Sequence, residues 1–281
     1  VTARESAAPP SFEELELLLE SASRGLTTAR PALELALLDF AAGPAPAPLA
    51  VAARGARLLW GAAALPGGER FRPAASLAST RLTEVFLDVE RRAFRAEPNS
   101  RVLPAAGNAL AALALARAAA AGQPGAVEGA ALAVDFLRAR LYDPLLGLMS
   151  AEGAQDFEYG LLGDVAWSAL AAEELGRLFG GEGRKEFADE LASVLVKELW
   201  NPARGGFYAR IPRADSATAA APLPDPGDEA AALEACWRLG RALAFRLGLA
   251  AARKSAGGDV RALAAVARAS SLSSGEAEAV K

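Results

Sequence analysis

The chain is 281 residues long and carries 30 basic against 34 acidic side chains, no histidine and a single cysteine, with alanine making up about a quarter of it. That length can bury a substantial core in one large domain or two small ones, and alanine in excess of β-branched residues favours an all-helical chain. A net charge of −4 with no basic stripe argues against nucleic acid as a partner, and the missing histidine removes the commonest general base and metal ligand.

The first ten residues, V-T-A-R-E-S-A-A-P-P, read as a linker. A helix opens at Ser11, with Glu14 as its capping-box partner, and Pro31 can begin a second that runs to Phe40. The spacer G-P-A-P-A-P over 43–48 follows. A third helix is predicted over 49–60, closed by P-G-G-E-R-F-R, and a fourth over 76–94, closed by E-P-N-S. The pattern then turns regular. Helices over 108–121 and 126–141 are joined by G-Q-P-G, those over 157–179 and 184–199 by G-G-E-G, and those over 229–252 and 259–269 by A-G-G. The stops D-P-L-L-G and N-P-A-R-G-G end the first two pairs, in the related stretches L-Y-D-P and L-W-N-P. Residues 11–94 and 95–270 thus form one domain, irregular helices followed by regular hairpins, and 271–281 is a frayed tail.

Spacing supports the regular part. Ala130, Val134, Leu137 and Leu141 make one apolar stripe, and Phe187, Leu191, Leu195 and Leu199 another. Such a hairpin cannot bury its apolar face alone, so the fold expected is all-α: stacked helical hairpins in a solenoid or an α/α toroid. Cys236 sits in an apolar run and reads as a buried structural thiol; alone, it forms no intrachain disulfide or thiolate metal cage. The most apolar stretch, 109–121, is broken by Arg117, so no transmembrane segment is expected. No charged start followed by an apolar stretch marks a leader. The compartment stays open, with the cytoplasm favoured over a periplasmic or complex-associated location.

The two ends of the hairpins differ in chemistry. The tight turns are bare connectors, whereas the long ends carry Tyr142, Asp156, Glu158, Tyr159, Arg204, Tyr208, Asp225 and Asp228. Long loops on one face of a regular scaffold are where function usually sits.

In order, L-P-A-A-G-N-A-L-A-A-L-A-L-A, L-Y-D-P, Q-D-F-E-Y-G-L-L-G-D-V-A-W-S-A-L and L-W-N-P-A-R-G-G-F-Y resemble the helical part of the YyaL-like, spermatogenesis-associated thioredoxin-domain proteins. That part is similar to the α/α toroid of N-acylglucosamine 2-epimerases and six-hairpin glycosidases. The likeness is clearest over 95–240, with a weaker match at P-A-L-E-L-A-L-L-D-F and G-G-E-R-F-R. The chain departs from the family in four ways. The thioredoxin-like domain has no counterpart, and the stretch between Gly68 and Glu97 is short of one or two hairpins. Gly107 stands where the family has a tryptophan, before Asn108. The family's L-E-D-Y-A and P-S-G-N-S motifs fall on Asp156–Gly160 and Pro224–Glu229 with most of their polar residues changed.

No metal and no cofactor is expected. Glu158 and Asp164 are the candidate catalytic carboxyls, since glycoside chemistry needs one protonated and one ionised acid. Glu158 continues the packed face of the 157–179 helix, while Asp156 reads as its N-cap. Candidate ligand contacts are Asn108, Tyr159, Trp167, Arg204 and Tyr208. Against four of these stands a plainer role: N-cap for Asn108, core packing for Trp167, a solvated loop for Arg204 and Tyr208. Asp225, Asp228 and Glu229 could ligate calcium, but opening a helix explains them more simply. Without histidine, and with eroded motifs, the favoured function is a non-catalytic scaffold that binds other protein subunits. The alternative is a carbohydrate-directed enzyme or sugar-binding protein with an acidic cavity around Glu158, Asp164 and Tyr159. The two readings part on whether those three residues converge in one concave pocket.

Overall fold

The computed structural model describes residues 48–212 and 222–255. The expected linker, the helices from Ser11 and Pro31, most of the spacer, the 259–269 helix and the tail lie outside them. Eight helices are described: α1 (Leu49–Ala63), α2 (Arg72–Arg81), α3 (Ala105–Ala120), α4 (Ala126–Phe136), α5 (Leu162–Phe179), α6 (Glu182–Lys197), α7 (Pro226–Arg238) and α8 (Ala242–Ser255). The odd-numbered helices form an inner layer and neighbour one another in the order α1, α3, α5, α7. Each even-numbered helix packs outside the inner helix that precedes it, and α2, α4 and α6 also touch the next inner helix.

The sequence explains which helix goes where. In α3 twelve residues are buried, eight of them alanine or glycine, so α1 and α5 can approach it closely from both sides. The outer helices α4 and α6 instead bury one stripe: Ala130, Val134, Leu137 and Leu141, then Phe187, Leu191, Leu195 and Leu199, none more than 1% exposed. Across the back of the inner layer, Arg238 of α7 pairs with Glu173 and Glu174 of α5 and with Glu234 of its own helix. Glu174 and Glu234 are buried there, and Arg177 closes on Glu174 from outside.

The long ends are not simple helix stops. After α2, α4 and α6 the chain makes a two-stranded antiparallel hairpin: β1 (Leu87–Asp88) with β2 (Ala93–Phe94), β4 (Tyr142–Asp143) with β5 (Gly147–Leu148), and β7 (Trp200–Asn201) with β8 (Gly206–Phe207). An aspartate or asparagine at the same place builds all three turns. Asp88 Oδ1 accepts from Arg91 N, Asp143 Oδ1 from Leu145 and Leu146 N, and Asn201 Oδ1 from Ala203 and Arg204 N. The repeated L-Y-D-P and L-W-N-P are therefore Asx-turn hairpins, and F-L-D-V is a third copy without the proline. The expected helix over 76–94 hid that copy, because V-E-R-R has no turn residue; the α-helix ends at Arg81 and a wider turn, Leu82–Phe86, leads into β1.

Two other helix predictions are corrected. The 157–179 helix begins only at Leu162: Gly160 has φ +70°, and the preceding residues run extended, bridging Met149 to Tyr159 and Leu161 to Arg210. The 229–252 helix is two helices, α7 and α8, separated at Gly240, whose φ of +72° lets Gly240 N and Arg241 N bond back to Trp237 O and Cys236 O. The tight turn of that pair is therefore Leu239–Arg241 rather than A-G-G, which lies outside the described residues.

Among the described residues, Arg92 alone of the non-glycines has positive φ, +57°. It fills the slot that Gly205, φ +74°, fills in the equally long third hairpin. Arg92→Gly is expected to raise stability by roughly 0.5–1 kcal/mol in urea unfolding. A loss of stability would mean that the arginine side chain outweighs its backbone strain.

Candidate functional site

Each inner helix starts at the hairpin end, and its first amides need acceptors from elsewhere. The segment leading into the next inner helix supplies them. Leu49 N donates to Ala96 O, Ala105 N to Ser150 O and Leu162 N to Ala209 O. Next to the second of these stitches β3 (Leu103–Pro104) pairs with β6 (Ala151–Glu152). The first turns of α3, α5 and α7 thereby meet around one cleft, lined by Ala106, Leu161, Leu162, Gly163, Asp164, Ala209, Pro224, Asp225 and Asp228. Its volume is about 180 Å³, room for about six waters.

Asp164 is the centre of this cleft. It stands in the first turn of α5 and is 6% exposed. Its Oδ1 accepts from Ala106 N of α3 at 3.1 Å, and its Oδ2 is buried with no hydrogen-bond partner. Burial pushes its pKa up from 3.8 to about 8; the Ala106 N–H opposes that rise, and the Asp228 and Glu158 carboxylates add to it. Asp164 is therefore a protonated acid at neutral pH.

Asp228 occupies the matching position in α7. Both acids follow a glycine in the first helical turn, Leu162-Gly163-Asp164 and Pro226-Gly227-Asp228. Asp228 Oδ1 accepts from Trp167 Nε1 at 3.0 Å, and the carboxylate rests on Gly163, where a Cβ would lie 2.5 Å from Oδ2. Only glycine next to Asp164 leaves space for Asp228. Trp167 is buried, and the Arg57 guanidinium of α1 covers its ring at 5.1 Å. Asp225 is the N-cap of α7, accepting from Gly227 N at 2.8 Å.

The predicted site residues separate. Asp164 lines the cleft, but Glu158 and Tyr159 do not. Glu158 is about half exposed on the extended segment, where Arg210 pairs with it at 3.2 Å, and Tyr159 stacks edge-on against Phe157. The three do not converge, because the helix expected to align them begins at Leu162, beyond Glu158 and Tyr159. Asp156 is likewise an exposed loop residue; the α5 N-cap is Leu161. Trp167 orients Asp228 from inside the protein and offers no face to a ligand. Tyr208 packs against the core.

Asn108 and Arg204 turn out to do one job in different chemistry. Asn108 lies one turn inside α3 and caps nothing. Fully buried, it accepts from Phe94 N (2.7 Å) and donates to Phe94 O (2.9 Å) and Pro104 O (2.8 Å), which fixes β2 on α3. At the equivalent place on α7, Glu229 accepts from Phe207 N, and Arg204, paired bidentately with Glu229, donates to Phe207 O. Asp225, Asp228 and Glu229 thus go to three separate partners, and no group of three such ligands able to hold a metal occurs among the described residues.

With this geometry the chain is an all-α protein of stacked hairpins with the α/α-toroid architecture. It is similar to the GH76A α-1,6-mannanase of Salegentibacter sp. HEL1_6 (TM-score 0.75, 14% identity, 95% of this chain and 91% of that one). A variant of that mannanase described as inactive, with two consecutive aspartates replaced, binds α-1,6-mannotetrose. The GH76 α-mannanase of Bacteroides thetaiotaomicron matches with TM-score 0.72 and 11% identity over 92% of this chain and 83% of that one. The cellobiose 2-epimerase of Bacillus thermoamylovorans matches with TM-score 0.61 and 13% identity over 81% and 61%. No protein-family model matches the chain, and no curated protein sequence does. The toroid expected from the sequence is present; nothing in these comparisons points to a thioredoxin-domain relative. Among the described residues no helix is long and apolar enough to cross a membrane.

Two predictions follow from these contacts. Asn108→Ala leaves the amide and carbonyl of Phe94 buried without their partner, and is expected to cost about 2–4 kcal/mol in urea unfolding. Asp164 acts oppositely. Between pH 4 and 8 the folded chain holds a proton that the unfolded chain has lost, so the stability this group contributes is complete below about pH 4 and gone above about pH 8. Asp164→Asn, which mimics the protonated acid, is expected to be near neutral at pH 4 and stabilising at pH 8, by on the order of 5 kcal/mol. Calorimetric melting across that range measures it, and a pH-independent difference would contradict the buried acid.

Proposed function

We propose that the protein is directed at carbohydrate, and that a sugar enters the cleft between the first turns of α3, α5 and α7. The observation that carries this reading is Asp164, a buried acid beside the cleft with one oxygen held by Ala106 N and the other buried without a hydrogen-bond partner. Glycoside chemistry needs a carboxylic acid to protonate the leaving oxygen and a carboxylate to support the charge that develops on the sugar. Burial keeps Asp164 protonated, with its pKa at about 8, and places it to give that proton. Asp228, steered by Trp167 and seated on Gly163, is the carboxylate.

The favoured expectation, a non-catalytic scaffold binding protein subunits, finds less support. It rested on absent histidine and on eroded motifs, and neither matters to a carboxyl pair assembled from two helices. The structural relatives are named as a mannanase and an epimerase of sugars, which favours the carbohydrate alternative. The acidic cavity of that alternative is centred on Asp164 and Asp228 rather than on Glu158.

Purified protein titrated with mannotriose, mannotetraose and matched gluco-oligosaccharides, with products followed by chromatography, tests the reading. Binding is expected, with slow turnover of a ligand whose linkage reaches Asp164. Asp164→Asn should cut turnover about 100-fold or more while binding changes little, and Asp228→Asn should weaken both. Absence of binding to every neutral oligosaccharide would remove the proposal.

A further inference from the structure

The cleft is small for a glycan. At about 180 Å³ it falls below the roughly 300 Å³ at which ligand pockets begin, so a sugar chain has to continue over the rim. Two stretches of that rim are built differently. On the α7 side stands Leu223, exposed and aliphatic, next to Pro224 of the cleft wall. On the α5 side the residues leading to Leu161 of the wall carry Phe157, Glu158 and Tyr159, and Arg210 follows Ala209 of the wall.

The α5 side is held firmly. Residues 158–161 run between two other extended stretches and are bonded on both edges. Ser150 N donates to Glu158 O and Gly160 N to Leu148 O on one edge; Ile211 N donates to Gly160 O on the other, where Leu161 is bridged to Arg210. Ile211 packs on Gly160 so closely that no Cβ would fit there. On this frame Phe157 is 48% exposed, with Tyr159 edge-on to it at 5.8 Å. An edge-on contact takes up one face of one ring, which leaves ring surface of Phe157 open. A lone exposed leucine is ordinary, whereas an exposed ring fixed beside a cleft is an apolar face already in place for a ligand.

Polar groups flank that ring. Glu158 and Arg210 are each about half exposed, and a single hydrogen bond of 3.2 Å, from Arg210 Nη1 to Glu158 Oε1, joins them. Glu158 Oε2 and the other guanidinium N–H groups are left to meet hydroxyls. The Glu158 carboxylate is also near enough to the cleft to add to the upward push on Asp164. A pyranose presents the complement of this set: a C–H face, with hydroxyl donors and acceptors around its edge.

Granted the carbohydrate reading on which it rests, we infer that Phe157, Glu158, Tyr159 and Arg210 form a second sugar subsite on the α5 rim, and that the ligand is a neutral oligosaccharide whose chain leaves the cleft across Leu161. One ring occupies the cleft. The next lays its C–H face on Phe157 and its hydroxyls against the Glu158–Arg210 pair.

Calorimetric titration with methyl mannoside, mannobiose and mannotriose, and with the matched gluco series, tests this. Affinity is expected to rise about tenfold from the methyl glycoside to the disaccharide. Phe157→Ala, checked by melting to be folded, should weaken the disaccharide about three- to tenfold and the methyl glycoside by no more than about twofold. Phe157→Trp should keep the gain, and Leu223→Ala on the opposite rim should leave every affinity as it is. A disaccharide that binds no better than its methyl glycoside, a Phe157→Ala loss equal for both, or a loss with Leu223→Ala instead would overturn the subsite and leave the carbohydrate reading in place. If no sugar of any length binds, the carbohydrate reading falls and the subsite with it.

Discussion

The inner helices of this protein all begin at the same end, and their first amides must find acceptors there. Among the described inner helices α7 alone solves this with a side chain of its own start, Asp225. Elsewhere the acceptors come from the next unit, as carbonyls of Ala96, Ser150 and Ala209 and as the Asp164 carboxyl. That one constraint sets the spacing of neighbouring units. It also places an acid in the first turn of α5 against the start of α3, so the interaction that joins two hairpins is the one that builds the cleft.

Small residues make this close approach feasible. A Cβ at Gly163 would strike the Asp228 carboxylate, and one at Gly107 would lie 2.8 Å from Pro104 and 2.9 Å from Leu49. Gly107 therefore packs α3 against the start of α1, where the resembled family carries tryptophan. The alanine content of the chain, which reads first as helix propensity, is equally a packing specification: thin inner helices allow polar first turns to meet without a ring of bulky side chains between them.

Much of the fold was legible in the sequence, because outer helices declare themselves by apolar stripes and tight turns by glycine. The hairpins were half legible. Asn201 and Asp143 precede proline and look like stops, whereas Asp88 precedes V-E-R-R and makes the same Asx turn with no breaker to betray it. The site was less legible still. Sequence points to Asp164, but placing Glu158 beside it needs a helix running through Gly160, where the positive φ ends it. Asp228 reads in the sequence as a helix opener. The signal for it was the repeat itself, Gly-Asp at the second and third positions of both α5 and α7, which shows only when the two helix starts are set in register. The exchange of Asn108 for a Glu229–Arg204 pair had no sequence signal, since the two share a hydrogen-bonding pattern and no residue type.

The Asp164 side chain is a poor choice for stability alone. Asparagine at this position could accept from Ala106 N equally well through its carbonyl oxygen, and would carry no ionisable group into the interior. An aspartate there leaves Oδ2 without a partner and ties the fold to the retention of a proton. The nearby pins show that this chain does use amides where geometry alone is wanted: Asn108 satisfies Phe94 with neutral groups in full burial. A buried acid with an unpartnered oxygen, beside a cleft that a second oriented carboxyl also lines, is costly as architecture. What chiefly distinguishes the acid from its amide at Asp164 is the ability to give up and take back a proton, and that ability is what the proposed carbohydrate chemistry draws on.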